Sequence, residues 1–212
     1  MLGTARTLLL SGAMLAMVAT LSAARPMRVI VLVDTSAATS SAMPQIRTAV
    51  ASLIEALPGE HEIALVTTGR HAQVRVQPTA DRAKLKSSAA GLTTDGGPTA
   101  LMDALREMDD RFLRKAADRW GVFVVITGDG SENSKDTDTV TFNTFLADIN
   151  RRGVLANAIV LKTTGTGLPE VIATSIVKAT GGHYAVMSSG GGITDAATTL
   201  AGQLATDAAR RP

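Results

Sequence analysis

From Val29 to Val33 the chain runs through five apolar residues, four of them β-branched, and then meets Asp34 and a row of small residues (VIVLVDTSAATS, residues 29–40). A strand without polar alternation has to be covered on both faces, which is the situation of a central strand in a parallel sheet flanked by helices. Asp34 then falls at the carboxyl end of that strand. Open α/β sheets hold their ligands outside this edge, so Asp34, Thr35, Ser36 and Ser40 stand where a binding site is expected.

The rest of the chain alternates in the same style. Met43, Ile46, Val50, Leu53, Ile54 and Leu57 keep helical spacing, with Ser41 as cap, Pro44 in the first turn and Pro58-Gly59 as the stop. Glu62 to Thr67 reads as a second strand. Val74 and Val76 alternate with polar residues over Gln73 to Gln77, as in a half-exposed edge strand, and the short Thr68-Gly69-Arg70 link makes the two a hairpin. A short helix over Asp81 to Ala90 and a glycine-rich loop, Gly91 to Thr99, precede a helix marked by Leu101, Leu105, Met108 and Phe112. Val122 to Thr127 is a second continuous apolar strand, and it runs into the acid-bearing turn GDGSENSKD. Three further units follow in the order helix (Phe142, Phe145, Leu146, Ile149), strand within Val154 to Leu161, helix (Val171, Ile172, Ile176), strand His183 to Met187 and helix (Ile193, Ala197, Leu200, Leu204). The pattern predicts an α/β fold: a three-layer, Rossmann-like arrangement with a mostly parallel six-stranded sheet, one antiparallel edge strand and helices on both faces.

Composition narrows the function. Hydrophobic residues make up 45% of the 212 and aromatic residues only 3%. The chain is long enough for one well-buried domain, placed at residues 27–208, but poor in the aromatic platforms that stack bases. A formal net charge of +2 with no basic run gives nucleic acid little to bind. Cysteine is absent, which excludes disulfides, thiolate metal sites and a cysteine nucleophile.

The first 24 residues carry Arg6, an apolar stretch from Leu8 to about Leu21 and small residues at Ser22 and Ala24. They read as a signal peptide cut after Ala24. The apolar stretch is shorter than the roughly 20 residues of a spanning helix. The expectation is an exported protein, periplasmic or extracellular, with no stable membrane span after cleavage.

Three loops at the carboxyl edge bring oxygen-bearing side chains: Asp34 with Ser36, Thr99, and Asp129. Hard divalent cations take oxygen ligands and commonly keep waters, so a few oxygens from separate loops can hold one. With these residues in order, the chain resembles a von Willebrand factor type A domain over about residues 27 to 208. The resemblance rests on VIVLVDTSAATS for an apolar strand ending Asp-x-Ser-x-Ser, on GGPTALMDAL around Thr99, and on VFVVITGDG ending in Asp129. It implies a metal ion-dependent adhesion site in which magnesium or manganese is held by Asp34, Ser36, Thr99 and Asp129 and binds an acidic group of a protein ligand. The fifth ligand position falls on Ala38, which has no ligating atom, and Gly128 displaces Asp129 from the usual Thr-Asp-Gly register. Thr35, Ser40, Asp95 and Glu132 belong to the loops that would face the ligand.

Each of these residues also has a plainer reading. Asp, Ser and Thr before a helix commonly bond free backbone donors, so Asp34 and Thr99 could simply order turns. Glycine-rich loops ahead of helices suit phosphates, which raises the alternative of an exported α/β domain binding a small anion or nucleotide; however, no Gly-x-Gly-x-x-Gly follows the first strand and no Gly-Lys-Ser or Gly-Lys-Thr occurs. Catalysis is not expected, since no Gly-x-Ser-x-Gly is present and His61, His71 and His183 fall away from the central loops. The sequence thus points to an adhesion or scaffold module that binds a protein ligand.

Overall fold

The structure, a computed structural model, describes residues 25–211 apart from 164. The expected signal peptide lies outside the described residues. Six strands form one sheet in the order β3-β2-β1-β4-β5-β6, with β1 Met27–Val33, β2 Glu62–Thr67, β3 Gln73–Thr79, β4 Trp120–Gly128, β5 Leu155–Leu161 and β6 Tyr184–Met187. All neighbours pair parallel except β2 and β3, which pair antiparallel. The single antiparallel edge strand is the one expected from the alternation of Val74 and Val76.

Side-chain alternation on fully covered strands divides the interior into two apolar layers. Val29, Val31 and Val33 with Val122, Val124 and Ile126 pack under helices α1 (Met43–Ala56), α2 (Arg82–Ala90) and α6 (Ile193–Ala209). Ile30 and Leu32 with Phe123 and Val125 pack under α3 (Leu101–Met108), α4 (Thr139–Arg151) and α5 (Leu168–Thr180). Burying Ile30, Leu32 and Phe123 completely contributes about 1.5–3 kcal/mol each, which explains why the central strands tolerate so little polarity.

Several boundaries differ from the sequence expectation for identifiable reasons. Between Asp34 and α1 the chain makes a 3-10 turn, Ala37–Ala42, so α1 is preceded by Ala42 rather than capped by Ser41. The helix expected to continue to Phe112 changes at Met108 into a π-turn over Asp109–Leu113, closed by Arg114 N–H on the Asp109 carbonyl (3.0 Å). That wider turn places Asp109, 1% exposed, against Arg114 (3.0 Å) and Arg152 (2.6 Å). Strand β3 runs on to Thr79 through a register irregularity, and Pro78 falls in that irregular stretch of an edge strand, where a missing N–H is tolerated. Two helices carry side-chain caps: Asp81 accepts from Lys84 N–H (2.9 Å) at α2 and Asp138 from Thr141 N–H (2.8 Å) at α4.

The strand order matters for the site. From β1 the chain moves to one side to build β2 and β3, then returns across β1 to β4 and continues to the other side. The connections after β1 and β4 therefore leave in opposite directions, and a crevice opens at their carboxyl ends.

Candidate functional site at the carboxyl edge

Asp34 is the centre of this edge. Its N–H continues the ladder to the Ile126 carbonyl (2.8 Å). Its carboxylate, 1% exposed, accepts from Ser36 N–H (2.7 Å) on one oxygen, and from Thr127 Oγ1 (3.0 Å) and Gly128 N–H (3.0 Å) on the other. Burial raises its pKa above the ordinary carboxylate value; the bonds from Gly128, Ser36 and Thr127 oppose that rise without cancelling it. The Ser36 hydroxyl turns toward the same carboxylate but reaches no partner at hydrogen-bond geometry.

The following residues are used locally. Thr39 Oγ1 donates to the Asp34 carbonyl (2.9 Å), and exposed Ser40 donates to the Ala37 carbonyl (2.8 Å), so neither hydroxyl replaces the oxygen missing at Ala38. The Ala38 methyl packs on the turn after β4 so closely that a Cβ built at Gly130 would lie 2.6 Å from it, and one at Gly128 2.9 Å. Those two glycines are required by the close approach of the 3-10 turn.

Thr99 is completely buried, and its hydroxyl donates to the Thr68 carbonyl and meets Thr68 Oγ1 at 2.9 Å. Its N–H donates to Ser131 O (2.9 Å), while its carbonyl accepts from Asn133 N–H (2.7 Å). Asp95 accepts from Arg70 N–H (2.9 Å) and Gly97 N–H (3.2 Å), and its own N–H donates to the Thr35 carbonyl (2.9 Å). The glycine loop is thereby tied to both the hairpin turn and the loop after β1.

Asp129 faces the other way. One carboxylate oxygen accepts from Thr163 N–H (2.8 Å) and Gly165 N–H (3.1 Å), the other from Thr163 Oγ1 (2.9 Å), so this acid organises the loop between β5 and α5. Glu132 accepts from Leu101 N–H (3.2 Å) at the start of α3 and from Ser134 N–H (3.1 Å) and its hydroxyl. Burial raises the pKa of Glu132 against these bonds.

These loops enclose a cleft of about 600 Å³, with Ser36 and Ala38 on its floor, Gly96, Gly97 and Pro98 on one wall, and Asp129, Gly130, Ser131 and Thr163 on the other. A separate cavity of about 390 Å³ lies between β6 and α6, lined by Met187, Leu200 and Gln203 among others, away from these loops. The four expected metal ligands thus converge on one edge, where Asp34, Thr99 and Asp129 each meet protein partners and the buried Ser36 hydroxyl is left without one. Ala38 offers a methyl, Thr99 is committed to Thr68, and Asp129 is turned onto Thr163 and Gly165. Sequence reading missed Thr68, Thr127 and Thr163 as partners of the expected residues; Thr68 follows β2, Thr127 is the last residue but one of β4 and Thr163 lies two residues past β5, all at strand ends where a hydroxyl can reach a neighbouring strand's loop.

Residues 29–132 match the family model of the von Willebrand factor type A domain. The strand order, the single antiparallel edge and the crevice at Asp34 agree with it. The chain has a von Willebrand factor type A fold. Solved structures superpose accordingly: the von Willebrand factor type A protein of Catenulispora acidiphila has a TM-score of 0.70 at 15% identity, over 85% of this chain and 43% of that one. BatB of Bacteroides thetaiotaomicron has a TM-score of 0.66 at 16% identity, over 85% of this chain and 99% of that one. Proximal thread matrix protein 1 of the mussel byssus, solved with a zinc-occupied MIDAS motif, has a TM-score of 0.61 at 16% identity, over 84% and 46%. The chain therefore spans less than half of the first and third of these proteins. Among curated protein sequences none matches it. The family match and the neighbours together support a von Willebrand factor type A domain, a fold in which a divalent metal site is known from the mussel protein.

Proposed function

We propose that the chain is an exported, non-catalytic binding module that takes a protein ligand into the cleft at the carboxyl edge of its sheet. The observation that carries this reading is the fastening of the cleft's walls: the loops after β1, α2, β4 and β5 are each held by side-chain hydrogen bonds, accepted by Asp34, Asp95 and Asp129 and donated by Thr99. Loops fixed in this way lose little conformational freedom on binding, which leaves more of the contact energy as affinity. Gly96, Gly97 and Gly130 line the cleft without side chains, which lets an incoming peptide approach the backbone closely.

The Ala38 methyl and the commitments of Thr99 and Asp129 favour recognition by loop shape and polar contacts, without a resident magnesium or manganese ion. Export rests on the apolar residues 8–21 and the small residues Ser22 and Ala24. The absence of catalysis rests on the placement of the histidines: His61 is buried at the amino edge, His71 sits beside Gln73 on the hairpin, and His183 beside Asp207.

A photo-reactive residue at Ser131, in the cleft wall, tests the reading against one at Lys178 near the opposite edge. Protein adducts from position 131 alone are expected, and equal labelling from both positions would reject the cleft. Thermal melts test the ion. A metal at a hundred times its dissociation constant would stabilise by about 2.7 kcal/mol; none is expected with magnesium or manganese, and a manganese shift that disappears in Asp34→Ala would restore the metal site.

A further inference from the structure

At the opposite, amino edge of the sheet, Trp120 opens β4 beside the point where the described chain begins. Its N–H donates to the Pro26 carbonyl (2.9 Å) and its indole Nε1–H to the Gly153 carbonyl (2.9 Å). The Arg211 guanidinium lies over the indole, 4.2 Å from the ring centroid, and donates to the same Gly153 carbonyl (3.3 Å). Arg25 donates to the Ala117 carbonyl. Arg25, Trp120, Arg152, Gly153 and Arg211 line a recess of about 300 Å³ with no acidic residue in its wall.

The charge balance of this recess is uneven. Arg152 is compensated from behind by Asp109 (2.6 Å) and Asp148 (2.9 Å). Arg114 pairs with Asp109, Asp110 and Asp148, and Arg119 with Glu62 and Asp118. Arg25 and Arg211 have only carbonyl partners and form no ion pair among the described residues. Two guanidinium groups without carboxylates thus share a concave wall with an aromatic ring, and each keeps N–H donors for an oxyanion.

We propose that this recess binds a phosphate group, that of an anionic phospholipid headgroup. Guanidinium groups match phosphate oxygens in paired hydrogen bonds. Arg side chains, with apolar stems and charged ends, are suited to the boundary between lipid and water, while the buried Trp120 ring holds Arg211 in place. Arg25 is also the first described residue after the apolar run Leu8 to Leu21. On the export reading proposed above, cleavage after Ala24 adds the new α-amino group of Arg25 to the same site. Docked this way, the domain rests its amino edge on the bilayer and turns the ligand cleft away from it.

Trp120 is the only tryptophan, so its emission reports this recess directly. The protein as isolated from cells is titrated with phosphatidylglycerol vesicles, phosphatidylcholine vesicles and inorganic phosphate, and vesicle cosedimentation is read in parallel. Phosphatidylglycerol is expected to change the emission and carry the protein down, and phosphatidylcholine to do neither. Each arginine near an anionic surface contributes about five-fold to binding, so Arg25→Gln with Arg211→Gln should weaken it about thirty-fold with an unchanged circular dichroism spectrum. Equal binding to both lipids, equal binding by the double variant, or an arginine-dependent response to inorganic phosphate alone would each overturn the proposal.

Discussion

The Asp34 carboxylate and the Thr127 hydroxyl, 93 residues apart in sequence, meet in a 3.0 Å hydrogen bond at the junction of the two central strands. Asp34 is thereby fixed by the neighbouring strand as well as by its own loop. Thr127→Val keeps shape and removes the donor from a completely buried position. A hydrogen bond to a charged group contributes about 1.5–3 kcal/mol, so urea unfolding should report a loss of roughly 2 kcal/mol with an unchanged m-value.

Glycines 182 and 202 should respond to alanine in opposite directions. A Cβ at Gly182 would lie 2.0 Å from the Ala156 carbonyl, at the start of the β5 to β6 pairing, whereas one at Gly202 meets nothing within 4 Å. Gly202 lies within α6, where alanine is favoured by about 0.5–1 kcal/mol. Thermal melts should show Gly182→Ala strongly destabilised and Gly202→Ala slightly more stable than wild type.

His61 makes stability depend on pH. The buried imidazole accepts the Met27 N–H (3.2 Å), and burial lowers its pKa; Glu60 opposes the shift while Arg82 and Arg119 add to it. A histidine with a lowered folded-state pKa favours folding above the ordinary value of about 6.5, because the unfolded chain takes up the proton first below it. The contribution is lost as pH falls through the folded-state pKa. The wild-type melting temperature should fall between pH 7 and 5 by more than that of His61→Gln. Equal slopes would remove His61 from the account. Asp136 and Asp148, whose pKa values are lowered, act further down, below the carboxylate range.

Asp129→Ala tests the assignment of this acid to the β5 to α5 loop. It frees the Thr163 and Gly165 amides, and hydrogen exchange at both should rise well above wild type. Exchange at Ser36, whose N–H is held by Asp34, should stay unchanged.

The sequence made the sheet legible because its central strands have no polar alternation, and Val29 to Val33 and Val122 to Thr127 can satisfy that only between two layers. Even the antiparallel edge was readable from Val74 and Val76. The site was legible in place but not in partnership. Asp34, Thr99 and Asp129 stand at the expected edge, yet which oxygen each acid meets depends on a single inserted residue, Gly128, and on hydroxyls from other strands. The π-turn at Asp109 was hidden because Met108 and Phe112 keep a spacing that suits a regular helix as well, while the recruited Arg152 lies 43 residues away.

The reversal of direction between β1 and β4 has a consequence for how such a domain can change. The recess above Asp34 is opened by the path of the chain, and the side chains only furnish it. Substitutions on its floor, such as a methyl in place of a hydroxyl at position 38, alter what is held there while the hollow itself persists. What the hollow accepts can therefore change residue by residue without a change of fold.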